Sequence, residues 1–135
     1  MKNARLIGFA AALCSSLVIA AEVDVSKLPP ASERKGVTFA TDIQPLFAQS
    51  CVKCHGAEKP KARLRLDSLE AALKGSENGK VIRPGESAKS LLIQSVGRVL
   101  HEDEWMPPPG NKFEIKPLTP QEIGLIRAWI DQGAK

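Results

Sequence analysis

Tyrosine is missing from this chain, and only four phenylalanines and two tryptophans stand among its 135 residues. A domain so short of aromatic mass makes a thin core, and something else must help to fill it. Methionine is nearly absent as well: Met1 is the initiator, which leaves Met106 as the single internal one. Histidine is confined to His55 and His101. Cysteine occurs only at positions 14, 51 and 54. A structural zinc site, which wants four ligands in two spaced pairs, therefore has no second cysteine pair to draw on. No internal repeat, low-complexity tract or catalytic carboxylate pair is visible either.

Long hydrophobic runs are also lacking, with one exception at the start. Lys2 and Arg5 precede an uncharged, mostly apolar stretch from Leu6 to Ala20, with small residues Val18 and Ala20 before Ala21. This pattern is that of a secretory signal over residues 1–20, too short for a comfortable membrane span, with an uncleaved anchor as the alternative. Bulky Leu13 argues against a lipoprotein reading of Cys14. Removing the signal takes Lys2 and Arg5 away, so 19 basic residues become 17 against 15 acidic ones, a net of +2. That surplus is too small to argue for nucleic acid or an anionic membrane as partner. Export would leave Cys51 and Cys54 alone in an oxidising compartment, expected to be the periplasm.

Residues 21–36 are polar and aperiodic with paired prolines, and read as a flexible segment leading to a domain at 37–135. Three main helices are expected there. One follows "FATDIQPLFAQSC", with Asp42 as N-cap, Pro45 at the third helical position, and Ile43, Leu46, Phe47 and Ser50 defining one face. A second follows Pro84-Gly85, with Ser87 as N-cap and Leu92, Val96, Val99 and Leu100 at helical spacing. The third has Thr119 as N-cap, Pro120 at N1, Glu122 completing a capping box, and Gly133 as its stop. Its buried stripe is Ile123, Ile126, Trp129 and Ile130. A further turn of helix fits Leu66 to Leu73. With slight strand content, the class is all-α with long loops.

"CVKCH", residues 51–55, carries the chemistry. C-x-x-C-H is the attachment site of c-type haem. Cysteines three apart on a helical turn present both sulfurs on one side to the porphyrin's vinyl groups, and His55 follows as the proximal iron ligand. A covalently held haem would also make up for the missing aromatic mass. A thioredoxin-like pair needs a strand–helix–strand context that is absent here, and a Cys51–Cys54 disulfide would close too small a loop to add much.

For the sixth iron position the candidates are Met106, His101, a lysine, or nothing. Met106 opens "MPPP", and Pro107, Pro108 and Pro109 are expected to hold that stretch extended, which would fix a thioether in place. His101 sits among Glu102, Asp103 and Glu104 and reads as a cap on the preceding helix's C-terminus. Met106 is the favoured ligand. Lys53, Lys59, Lys61, Arg63 and Arg65 cluster around the motif, either as a solvated loop or as a surface steering an acidic redox partner. Arg83 is a candidate partner for a haem carboxylate on its charge alone.

Several ordered stretches then carry a family likeness. "FATDIQPLFAQSCVKCHGAEKPKARLRLDSLEAALKG", "VIRPGESAKSLLIQSV", "MPPP" and "LTPQEIGLIRAWIDQGA", about residues 38–134, resemble the planctomycete-type cytochrome c domain. The resemblance implies a class I cytochrome c-like fold whose first and last helices cross beside one haem. It also implies attachment through Cys51, Cys54 and His55, with Met106 as the distal ligand. One departure is that the family often has glycines before its L-R-L-D, where this chain has Ala62 and Arg63. The expected function is an exported monohaem c-type electron carrier, not an enzyme. The alternatives are a haem enzyme or gas sensor with an open distal site, or a non-haem CxxC redox or metal-binding module.

Overall fold

The computed structural model describes residues 22–135; the expected signal and Cys14 lie outside them. Five α-helices occupy this span: α1 (Gln44–Ser50), α2 (Val52–His55), α3 (Leu69–Lys74), α4 (Leu91–Val96) and α5 (Pro120–Asp131). Among the described residues there is no strand, only an isolated bridge between Ser76 and Gly79. The all-α class holds. The count differs from three because Cys51 breaks the first helix and Leu69–Lys74 forms one of its own.

The first helical run starts earlier than Asp42. Thr38 is the cap: its hydroxyl accepts from the Thr41 N–H, while its own N–H donates to the Asp42 carboxylate at 2.8 Å. A wide π turn over Phe39–Ile43 follows, closed by the Gln44 N–H on the Phe39 carbonyl. Pro45 supplies a reason for that width. It has no N–H for a regular helical bond, and its ring would crowd the carbonyl four residues back.

The second expected helix is delayed and shortened. The Ser87 N–H and hydroxyl donate to the Asp131 carboxylate at 2.8 and 2.9 Å, and the hydroxyl accepts from Arg127 Nε at 3.1 Å. Ser87 is therefore occupied with α5, and α4 begins only after Ser90. Leu92 and Val96 are buried as expected, joined by Ile93, while Val99 lies beyond the helix and only packs against the core. α5 matches its expected start: Thr119 caps, Pro120 leads, and Glu122 returns its carboxylate to the Thr119 N–H at 2.7 Å. It ends at Gly133 in a Schellman motif, with Gly133 N–H on the Ile130 carbonyl and Ala134 N–H on that of Trp129.

The run before α1 and α5 meet through aromatic rings. Phe39, Phe47 and Trp129 pack pairwise with centroids 5.8 to 6.2 Å apart, two of the three pairs edge-on. Ile43, Ile126 and Ile130 are sealed around them. So three of the five described aromatic residues are gathered at one point, and the other two, Trp105 and Phe113, lie outside that cluster.

Residues 22–36, read as a flexible segment, lie against α5. Leu28 is buried, Ser32 N–H donates to the Gly124 carbonyl at 2.9 Å, and Arg127 donates to the Pro29 carbonyl. Arg34 pairs with Asp42 at 2.6 Å. Gly124 makes this approach possible, because a Cβ there would stand 2.7 Å from the Pro30 carbonyl oxygen. A mid-helix glycine is unfavourable by about 1 kcal/mol against alanine, so its place here is explained by the chain crossing over it.

Candidate functional site

Cys51 stands at the break between α1 and α2, and Cys54 and His55 end α2. The chain passes through Cys51 with a distorted backbone (φ −122°), and both Cys54 N–H and His55 N–H donate to its carbonyl. The turn therefore places the two cysteines three apart on one side, half-buried, as free thiols. Gly56 ends the turn beneath them. A Cβ at Gly56 would meet the Val52 carbonyl oxygen at 2.7 Å, so the chain leaves directly after His55 only because no side chain is there.

These three side chains face a cleft of about 1010 Å³, mouth included. Its walls add Leu64 and Leu66 from the next loop, Leu92 and Val96 from α4, and Met106, Pro107 and Pro108 from the proline run. No aspartate, glutamate, lysine or arginine lines it. Burial pushes the Cys51 thiol up to about 12, reinforced by Cys54, so it is protonated at neutral pH.

His55 is clamped at two points by the loop that follows. Leu66 N–H donates to the His55 carbonyl at 2.8 Å, and His55 Nδ1 lies 3.3 Å from the Leu64 carbonyl oxygen. Burial holds the imidazole below its ordinary pKa, which favours the neutral ring. Because a carbonyl oxygen only accepts, the contact with Leu64 calls for the proton on Nδ1, which leaves Nε2 as the unprotonated nitrogen. Such a backbone partner is what fixes the tautomer of a metal-binding histidine. Two thiols, a neutral imidazole with one free nitrogen, a thioether and aliphatic walls together fit a covalently attached haem.

Met106 reaches the cleft on a loop anchored at both ends. Its N–H donates to the Ser95 carbonyl at 3.2 Å, and the neighbouring Trp105 donates from its indole to the Leu100 carbonyl at 3.0 Å. The prolines do not run extended: the chain bends at Met106–Pro107, a cis peptide, and turns at Pro109–Gly110. Asn111 then staples the loop, donating to the Pro108 and Ile115 carbonyls and accepting from Ile115 N–H. Sequence reading missed Asn111, although an asparagine right after a Pro-Gly turn is a signal for such a staple.

His101 is exposed and outside the cleft. It does not cap the preceding helix. Its Nδ1 lies 3.5 Å from Asp103 N–H and 3.3 Å from the Asp103 carboxylate, at the start of the short turn Glu102–Glu104. In the basic cluster, Arg63 pairs with Glu77 at 3.7 Å and Arg65 with Asp67 at 2.7 Å, while Lys53, Lys59 and Lys61 are exposed. Arg83 lines no part of the cleft. The loop before Leu64 is strained: Lys59, Ala62 and Arg63 all take left-handed conformations, with φ of 47°, 52° and 53°.

Among the described residues, no three side chains of the His, Cys, Asp or Glu types gather to hold an ion on their own. No described helix is long and apolar enough to cross a membrane. The family model described as Planctomycete cytochrome C matches residues 51–110, which run from the first cysteine of the motif to the end of the proline turn. No curated protein and no solved structure gives a match.

Proposed function

Residues 51–110 carry a planctomycete-type cytochrome c domain, and from that premise we propose that the chain is an exported monohaem c-type cytochrome that carries single electrons between redox partners. The observation that supports this most is the meeting of Cys51, Cys54, His55 and Met106 in one apolar cleft. Cys51 and Cys54 would hold the haem by thioether bonds, His55 would take the proximal iron position through Nε2, and Met106 the distal one. When bound, the haem supplies a one-electron couple whose potential histidine–methionine ligation raises.

The chain's own residues supply positioning and shielding. Leu64 and Leu66 hold His55 in one orientation, which would present its free nitrogen to the iron in a fixed place. Ser95 and Asn111 fix the loop bearing Met106, and Leu92 and Val96 keep water from the cleft's inner wall. With His55 and Met106 both available to hold the iron, the site would suit a carrier better than an enzyme. Crossing of the α1 run and α5 at the Phe39–Phe47–Trp129 cluster agrees with a class I cytochrome c-like arrangement. The apolar run before residue 21 is the basis for export.

Production with haem-maturation machinery, followed by absorption spectra of the oxidised, reduced and carbon monoxide-treated protein, tests this reading. A low-spin spectrum with the weak methionine–iron band, unmoved by carbon monoxide, is expected, with haem retained after denaturation. High-spin iron that takes up carbon monoxide readily would point instead to an enzyme or gas sensor, and loss of haem on denaturation to a non-haem module.

A further inference from the structure

The walls of the cleft carry no formally charged side chain, yet a haem brings two propionate carboxylates with it. A carboxylate held against apolar surface is strongly unfavourable unless a cation meets it. Resting on the haem reading above, we propose that Arg98 binds a haem carboxylate at the rim of the cleft.

Three observations on this chain converge there. A second, open hollow of about 1070 Å³, mouth included, adjoins the cleft and shares Pro108, Asn111 and Ile115 with it, and Arg98 is one of its walls. Arg98 Nε is buried without a hydrogen-bond partner, the one such side-chain nitrogen or oxygen among the described residues. An orphaned guanidinium N–H is costly enough that it marks a missing acceptor. Finally, the guanidinium is held in place: its carbon lies 4.9 Å from the ring centre of Trp105, and its backbone sits at a left-handed φ of 56°. Trp105 is the neighbour of Met106, so the cation is anchored beside the loop that bears the distal side chain.

The other cations near the site are less suited. Arg63 and Arg65 are already paired, Lys53, Lys59 and Lys61 are exposed, and Arg83 lines neither cavity. Lys116 lines the second cavity with Arg98, but it is exposed, and its ammonium is a point charge on a flexible stem where Arg98 offers a planar fork with a buried Nε. Glu114 lines the same cavity as Arg98 without forming an ion pair with it. An acceptor from outside the chain is what the guanidinium lacks, and its planar fork matches a carboxylate's two oxygens.

The test compares haem-loaded wild type with Arg98→Gln, Arg98→Lys and a distant control, Lys35→Gln. Resonance Raman spectra report the propionate bending band, and spectroelectrochemistry the reduction potential. Arg98→Gln is expected to shift the band and lower the potential, because a positive charge that disfavours ferric iron is gone. Lys35→Gln should do neither, and Arg98→Lys should shift the band while largely keeping the potential. An Arg98→Gln protein with the wild type's band and potential overturns the assignment. Should Arg98→Gln fail to mature, Arg98→Lys decides, and a band identical to wild type's overturns it. Wild type that acquires no covalent haem defeats the haem reading itself. Wild type that loads normally beside an unchanged variant defeats only the role of Arg98.

Discussion

Ala62 and Arg63 both adopt backbone angles that suit glycine. A left-handed conformation costs an L-residue roughly 1 kcal/mol. The Arg63–Glu77 pair is exposed and offsets little of that. Ala62→Gly and Arg63→Gly should therefore each stabilise the protein, by about 0.5–1 kcal/mol, as a higher urea midpoint at unchanged m-value. A drop in midpoint for both would show that the loop's strain is only apparent. At the same scale, Met106 and His101 form a matched pair. Met106→Ala should open the haem-loaded protein to carbon monoxide and remove the methionine–iron band, while exposed His101→Ala should leave both alone. Carbon monoxide uptake in the His101 variant would reverse the assignment. The cysteines, His55 and Met106 could be picked out in the sequence because their chemistry resides in side chains, and the fold brings all four to one cleft. The Leu64 carbonyl that orients His55 could not be, since any residue carries a carbonyl and only the fold brings this one 3.3 Å from the ring.

Elements were legible in proportion to how local their causes are. The capping box at Thr119 and Glu122 lies within four residues and came out as expected. The start of α1 did not, because Pro45 acts backwards on a turn it does not itself cap. Ser87 has the look of an N-cap, but Asp131 and Arg127, some forty residues on, claim its hydroxyl. The segment 22–36 is the clearest case. Its composition suggests a tether, and the reason it docks is a glycine in a helix ninety-odd residues away. Gly124→Ala should push this segment off α5 while improving the helix's own propensity. Little net change in global stability is expected, within about 1 kcal/mol. Amide exchange or limited proteolysis should nevertheless show residues 22–36 losing protection, the Ser32 amide first. Unchanged protection at Ser32 would mean the crossing tolerates a Cβ and the glycine serves something else.

For the molecule as a whole, charge and core raise separate expectations. Lys53, Lys59 and Lys61 stay exposed beside the haem motif, so electron transfer to an acidic partner should slow as ionic strength rises and slow further when the three are changed to glutamine. A rate indifferent to salt would reduce the cluster to a solvated loop. Phe39, Phe47 and Trp129 secure one end of the domain, where the α1 run meets α5. Around the cleft the walls are aliphatic instead: Leu64, Leu66, Leu92, Val96 and Ile115. Leu64, Leu66, Leu92 and Val96 are already largely out of water, so the gain lies in the haem's own apolar face and in exposed Leu91 and half-buried Met106 and Ile115, at roughly 25 cal/mol per Å² covered. A haem covering even part of that surface should add several kcal/mol, and in a domain this size each kcal/mol moves the melting temperature by about 4–8 °C. The double variant Cys51→Ser, Cys54→Ser, which cannot attach haem covalently, should then melt at least ~10 °C below the haem-loaded protein. Its loss of protection in amide exchange should be concentrated in α4 and the 64–66 loop, while the Trp129 end keeps its protection. Melting within a few degrees of the loaded protein would show instead that the aliphatic walls pack without a cofactor, and that the aromatic cluster alone suffices as the core.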